Sequence, residues 1–250
     1  MNQPDSVTFE ITDHIGIITL DLPPENYLPI PGFIPLNLFE QWIRTENLRG
    51  LIIRGQGKNF SAGGNLENIF RSGNDLLTLQ RLVDDGIELM NRISDMEIPV
   101  IAALNRICFG GGLEIALACH IRVASENALL AFPEVNQNLM PGMGGTYSLP
   151  NTIGLSASVG MVLGGDMINA TDAKKLGLVD YLAPKDQAFE FSLNLVQKMT
   201  RDRPLKVINS IMKSLRNARV LSREEAMKEE TRLFCALALD EAERRKNEEI

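Results

Sequence analysis

The sequence predicts an α/β protein. Three observations carry this: short apolar runs of strand length, three- and four-residue apolar spacing between them, and glycine or proline at the junctions. The runs Gly50–Gly55, Val100–Leu104 and Ile121–Ala124 alternate with helical patterns, and from Leu155 onward the pattern is helical alone. The length of 250 residues suggests one large domain, or one and a half small ones, without an evident internal repeat or low-complexity linker.

Taken in order, Val7–Ile11 and Ile15–Leu20 flank Thr12-Asp13-His14 as the arms of a hairpin. Pro23, Pro24, Pro29, Pro31 and Pro35 then place five of the twelve prolines in one stretch, through which neither a helix nor a central strand can run. A short helix with Pro35 in its first turn continues through Phe39 and Trp42. After the buried strand Gly50–Gly55, Leu76, Leu79, Val83, Ile87, Met90 and Ile93 mark one helical face that stops before Pro99. Val100–Leu104 is a strand, Gly110–Gly112 opens an apolar helix through Cys119, and Ile121–Ala124 and Leu129–Phe132 are short strands. Helical patterns follow over Leu155–Leu163, Thr171–Leu176, Gln187–Thr200 and Leu205–Leu215. The last helix opens on the capping box Ser222-Arg-Glu-Glu225 and carries Met227, Phe234 and Leu237 on one face.

Composition narrows the function classes. Apolar residues make up 44% and charged residues 23%, so a packed core is expected rather than disorder. The net charge of −7 argues against nonspecific nucleic-acid binding. Cys108, Cys119 and Cys235 form no C-x-x-C pair and are odd in number, which points to reduced, buried thiols rather than a disulfide framework. Met1–Glu10 carries neither the basic nor the apolar region of a secretory signal, and no apolar run reaches membrane-spanning length. A cytoplasmic protein without a membrane or nucleic-acid partner is expected.

Three segments could carry chemistry. Asn59-Phe-Ser-Ala-Gly-Gly-Asn65 is either a tight turn into a helix near Leu66, or a place where an amide such as that of Ala62 points at a ligand oxygen. Phe109-Gly-Gly-Gly-Leu-Glu114 sets a helix N-terminus, with its unpaired N–H groups, after a buried strand. Glu114 stands among Leu113, Ile115, Ala116, Leu117 and Ala118, so it must be paired, solvated in a cleft, or shifted in pKa. Glu134, in Phe132-Pro-Glu134 at the end of a short apolar strand, is the third candidate, with a plain loop carboxylate as its ordinary reading.

Other chemistries find less support. Pro141-Gly-Met-Gly-Gly-Thr146 lacks the lysine of a phosphate loop. His14 and His120 are the two histidines; no metal-ligand spacing surrounds them, so no metal is expected, and His120 reads as a packed core residue. A G-x-S-x-G nucleophile elbow is absent. Arg244-Arg-Lys246 reads as a solvated helix end.

In this order and spacing, Phe60-Ser-Ala-Gly63, Ile98–Ala103, Gly110–Glu114, Phe132-Pro-Glu134, Pro141–Thr146, Ala170–Ala173 and Gly177-Leu-Val179 resemble the crotonase (enoyl-CoA hydratase/isomerase) superfamily. The resemblance runs from the opening hairpin to about Lys213. It implies a spiral of repeated ββα units over residues 1–195, and a C-terminal helical region over 196–250 that covers the site and builds homotrimers or homohexamers. It implies an acyl-CoA or acyl-carrier-protein thioester as substrate, the coenzyme A moiety belonging to the substrate, with no separate cofactor. By motif position the amides of Ala62 and Gly111 form the oxyanion hole, and Glu114 and Glu134 are the catalytic pair.

The activity implied is a hydro-lyase acting on a 2-enoyl thioester. The alternatives are a double-bond isomerase or decarboxylase using the same oxyanion hole, or a non-catalytic paralogue that binds acyl-CoA. Several positions depart from the family pattern. Asn65 stands where many relatives have Asp, and His120 where the helix commonly ends in Cys-Asp. The proline-rich stretch replaces the usual Asn-Ala-Leu segment, the helix after Pro35 is short, and the chain ends without the usual final aromatic.

Overall fold

The computed structural model describes residues 6–29, 33–44, 47–65, 67, 68, 70 and 75–248; Pro31 and the turn into a helix expected near Leu66 lie outside them. Strands β1 (Val7–Thr12) and β2 (Ile15–Leu20) pair antiparallel, with Val7 opposite Leu20. Asp13 and His14 between them have φ of +49° and +65°, the sign that lets a two-residue turn follow the strand twist. Strands β3 (Gly50–Gly55), β4 (Val100–Leu104), β6 (Ile121–Ser125) and β9 (Tyr181–Ala183) extend the sheet in parallel, in the order β1-β2-β3-β4-β6-β9. Both β2 and β4 are buried along their whole length, which is why they read as unbroken apolar runs.

A second sheet holds β5 (Ile107–Phe109), β7 (Leu129–Ala131) and β8 (Ile168–Asn169), with β5 and β7 parallel and β8 antiparallel. Ser61 joins its edge through a parallel bridge to Cys108. Each turn of the chain thus lays one segment in each sheet and then a helix. The unit β4–β5 leads into α3 (Gly111–Ala118), and β6–β7 leads into a 3-10 turn (Pro133–Gln137) and α4 (Gly145–Ile153). This is a spiral of ββα units. The repeat lies in the backbone path, so a strand of three residues leaves no periodic trace in the sequence.

Helix α1 (Leu36–Ile43) starts directly after Pro35 and buries Leu38, Phe39 and Trp42. Helix α2 (Leu76–Ser94) is capped by Asp75, whose carboxylate accepts from the amides of Leu77 and Thr78. Its buried residues begin only at Gly86, whereas Leu76 and Leu77 are 68% and 62% exposed. The expected apolar face therefore holds for the second half alone. At about 1.5 Å per residue, a helix of this length outruns strands of five or six residues.

Helix α5 (Leu155–Gly164) follows α4, and α6 (Ala170–Leu176) is capped by Asn169. Helix α7 (Ala188–Thr200) runs unbroken across residues 195 and 196 and packs Ala188 and Val196 against Ile15, Ile52, Ile101 and Val123 of the large sheet. Helices α8 (Leu205–Val220) and α9 (Arg223–Glu248) form the C-terminal helical region, and α9 packs substantially on α8 alone. The capping box is in place: Ser222 N–H donates to Glu225 Oε2 at 3.1 Å, and Glu225 N–H to Ser222 Oγ at 3.3 Å. Among the described residues no helix is long and apolar enough to cross a membrane.

Cys108 and Cys119 are buried free thiols, as expected, but Cys235 is exposed, because α9 belongs with α8 to a two-helix arm and not to the core. His120 is partly buried and does structural work: its Nδ1 accepts from Val100 N–H at 3.0 Å, and Nε2 lies 3.2 Å from the Ser94 carbonyl. Arg122 is 8% exposed and ties β6 to the α6–β9 connection. Its Nε donates to the Leu178 carbonyl at 2.8 Å, Nη1 to the Cys119 carbonyl at 3.1 Å, and Nη2 pairs with Asp180 at 2.9 Å. Removing the buried guanidinium strands the Leu178 and Cys119 carbonyls, whereas Asp180, 32% exposed, keeps access to water. Arg122→Ala is therefore expected to lower unfolding stability by about 2 kcal/mol in a denaturant titration.

Candidate functional site

The first wall of the site is the turn after β3. Every amide from Phe60 to Asn65 but one is committed within the fold, among the described residues. Phe60 and Ser61 donate to the Ile107 carbonyl, Ala62 to the Glu25 carbonyl at 2.9 Å, and Asn65 to the Leu28 carbonyl at 2.8 Å. Gly63 N–H donates to Ser61 Oγ at 3.1 Å. The exception is Gly64, whose N–H has no partner among the described residues. The expectation for Ala62 is thus corrected. Its amide faces the 25–28 segment, and the free donor of this turn lies two residues later.

The second wall is the start of α3. Gly110 has φ +49° and Gly63 φ +95°, a region that glycine enters without strain. The close approach demands it as well, because a Cβ on Gly63 would lie 2.8 Å from the Phe109 carbonyl oxygen and 3.3 Å from the Gly111 nitrogen. A Cβ on Gly111 would in turn lie 3.6 Å from the Gly64 nitrogen. The N–H of Gly111 is the first of the helix and has no carbonyl partner among the described residues. Two unpaired amides, of Gly64 and Gly111, therefore stand side by side, an arrangement suited to an anionic oxygen. Leu28 and Met143 close over this point, their terminal carbons 3.1 and 3.0 Å from where a Gly111 Cβ would be.

Glu114, one turn into α3, is 4% exposed. Its Oε1 accepts from the amides of Met143 at 2.7 Å and Gly145 at 2.8 Å. The glycine-rich segment Pro141–Thr146 is therefore an anion-receiving loop whose anion is this protein's own carboxylate. Gly145 has to be glycine, since a Cβ would meet Glu114 Oε1, Phe132 and Pro141 at about 3 Å. Burial raises the Glu114 carboxyl above its usual range, while the amides of Gly145, Met143 and Gly142 pull it back. The bonds from Met143 and Gly145 both fall on Oε1, so the carboxyl is held through that oxygen.

Glu134 sits in the first turn of the 3-10 segment, directly after Pro133. Its Oε1 lies 2.7 Å from where a Gly110 Cβ would stand, so the carboxyl rests on the Gly110 backbone. Its Oε2 is buried without a hydrogen-bond partner. Burial raises this carboxyl to about 7, its own amide working against the rise and the charge of Glu114 adding to it. A carboxyl poised there can hold or release a proton near neutrality.

The model of the enoyl-CoA hydratase/isomerase family matches residues 10–248. The chain belongs to that family. With it comes the crotonase superfamily, whose fold the ββα spiral reproduces. A Bacillus subtilis (strain 168) protein named "Probable enoyl-CoA hydratase" is 32% identical over 234 residues, covering 92% of this chain and 89% of its own. Among solved structures, Pseudomonas aeruginosa DspI superposes with a TM-score of 0.85 at 30% identity, covering 95% of this chain and 90% of that one. Enoyl-CoA hydratase from Bacillus anthracis gives 0.82 at 27% identity, covering 92% and 89%.

Within this family member, three of the four residues expected at the site, Gly111, Glu114 and Glu134, come together. The fourth, Ala62, belongs to the same turn with its amide turned elsewhere. Sequence reasoning missed Gly64, which no residue-type signal separates from Gly63, and the loop amides of Met143 and Gly145. The raised carboxyl of Glu134 has a stability consequence. The folded state keeps this proton up to about pH 7, whereas an ordinary glutamate releases it near 4.5. Stability contributed by this group is therefore present at low pH and lost as pH rises through that window. Glu134→Gln should accordingly raise Tm over the parent at about pH 8, with the difference closing at about pH 4. Thermal melts at the two pH values check this.

Proposed function

We propose that this protein adds water across the double bond of a 2-enoyl thioester, or removes it in the reverse direction. The observation that carries the reading is the pair of raised carboxyls, Glu114 and Glu134, next to the two free amides of Gly64 and Gly111. Hydration at the β-carbon pushes negative charge onto the thioester oxygen. Two backbone donors already fixed in place stabilise that charge without reorganising. Glu114, held through Oε1, offers Oε2 to the attacking water. Glu134, titrating near neutrality, delivers the proton to the α-carbon and is recharged by the water proton.

The substrate is proposed to be an acyl-CoA or acyl-carrier-protein thioester, with no resident cofactor. A cytoplasmic homotrimer or homohexamer is the proposed working form. Apolar residues left exposed support assembly: Tyr147, Leu155 and Leu163 on α4 and α5, and Leu215, Met227 and Phe234 on α8 and α9, each at 56–73% exposure. Burying such surface against another copy is worth roughly 25 cal/mol per Å². Multi-angle light scattering is expected to give a multiple of three chains at micromolar concentration, and a stable monomer near 27.7 kDa would reject this.

Loss of conjugated absorbance on adding a crotonyl thioester tests the reaction itself. Glu114→Gln and Glu134→Gln should each lower the hydration rate by about 10²–10⁴. The double variant should fall little further, because residues acting as one unit are not additive. One severe and one mild effect would point instead to an isomerase. Gly111→Pro, which deletes the amide, should abolish turnover in a correctly assembled protein. Near-normal activity there would remove Gly111 from the oxyanion site.

A further inference from the structure

The proline-rich stretch before Phe33 has no role in the chemistry above, yet its first part lies against the oxyanion turn. Residues 22–28 run along the turn 59–65 and are stitched to it from both sides. Asn59 Nδ2 donates to the Pro24 carbonyl at 2.8 Å, and Ala62 N–H to the Glu25 carbonyl at 2.9 Å. Ser61 Oγ donates to the Asn26 carbonyl at 2.7 Å. Leu28 N–H donates to the Gly63 carbonyl, and Asn65 N–H to the Leu28 carbonyl, both at 2.8 Å. Gly64 is thus clamped by bonds on the residues either side of it, while its own N–H is left free.

At the centre of this strap stands Asn26, 1% exposed and at φ +52°. Asparagine tolerates that left-handed backbone better than most residues. Its side chain makes three hydrogen bonds, all to backbone groups. Oδ1 accepts from Leu22 N–H at 3.1 Å, and Nδ2 donates to the carbonyls of Gln56 at 2.9 Å and Asn59 at 2.8 Å. One amide therefore ties the strap to itself and to the end of β3. Neither Asp, which lacks donors, nor Leu, which lacks both functions, could do this. Gly55 leaves the room, since a Cβ there would come within 2.7 Å of Asn26 Nδ2.

We infer that Asn26 is a positioning residue for the oxyanion site: through the strap 22–28 and Ser61 it fixes the Gly64 amide beside that of Gly111. This rests on the hydratase reading. A backbone donor is effective only while it holds its aim, and losing one such donor typically costs about 10²–10³ in rate. A loosened donor is worth part of that.

The test uses the full-length protein and a 4-dimethylaminocinnamoyl thioester of coenzyme A, whose absorbance moves to longer wavelength when hydrogen bonds polarise its carbonyl. The parent is expected to red-shift the probe. Asn26→Ala is expected to keep the parent's circular dichroism and assembly, to lower kcat for a crotonyl thioester by about 10–10² with KM nearly unchanged, and to lose much of the red shift. A folded Asn26→Ala that keeps both kcat and the shift overturns the inference. Should Asn26→Ala not fold, Ser61→Ala removes the oxygen joining Gly63 N–H to the Asn26 carbonyl, and the same two outcomes decide. A parent that red-shifts the probe without hydrating rejects the hydratase reading alone, and the variant shifts still decide the role of Asn26. A parent that gives no shift rejects both.

Discussion

A carboxylate buried at the start of an apolar helix has to be given hydrogen-bond donors, and much of this structure follows from how Glu114 receives them. Its surroundings, Leu113, Ile115 and Ala116, are fully buried and can offer none. An uncompensated charge there would cost several kcal/mol. The donors come instead from Met143 and Gly145, roughly thirty residues on. That requirement fixes the path of the loop 141–146, makes Gly145 a glycine, and sets where α4 begins. Through α4 it also fixes the apolar surface of Tyr147 and its neighbours. One charge thus organises a long segment of chain.

The same reasoning by backbone groups explains the oxyanion turn. Buried N–H groups are paired in the great majority of cases, so an unpaired pair of them is informative. The turn 60–65 satisfies its amides with the second sheet on one side and the strap on the other, and it omits Gly64. Helix α3 omits Gly111 because the first amides of a helix have no carbonyl to reach. The two omissions fall side by side, a Gly111 Cβ being 3.6 Å from the Gly64 nitrogen. Their coincidence is what distinguishes a receptor for an oxygen from two unrelated chain features.

What could be read in advance follows the physics of each element. The hairpin, β3, β4, β6 and the long helices declare themselves, because burial on one or both faces imposes a periodic or continuous apolar pattern. Strands β5, β8 and β9 do not, being two or three residues long. Helix α4 is masked by its glycine start and by Pro150 within it. At the site, Glu114 was visible because charge in an apolar run is conspicuous, and Glu134 because of its motif. Gly64 was not, since a free amide is a property of hydrogen-bond geometry and leaves no mark on residue type. Asn26 was hidden for a related reason: a buried asparagine bonding to backbone looks, in sequence, like any loop asparagine.

The two carboxyls are restrained unequally. Glu114 has one oxygen gripped by two amides, a geometry that favours the charged form and holds the group still. Glu134 has a buried oxygen with no partner and a carboxyl that titrates near 7. An orphaned polar atom in a core is uncommon, and this one belongs to a carboxyl resting on Gly110, the residue before the free amide of Gly111. The free amides of Gly64 and Gly111 are set by the second sheet and the strap 22–28, whereas Glu134 stands on a single turn after a proline. The contrast is therefore one of restraint: one oxygen of Glu114 is held by two amides, and one oxygen of Glu134 by none among the described residues.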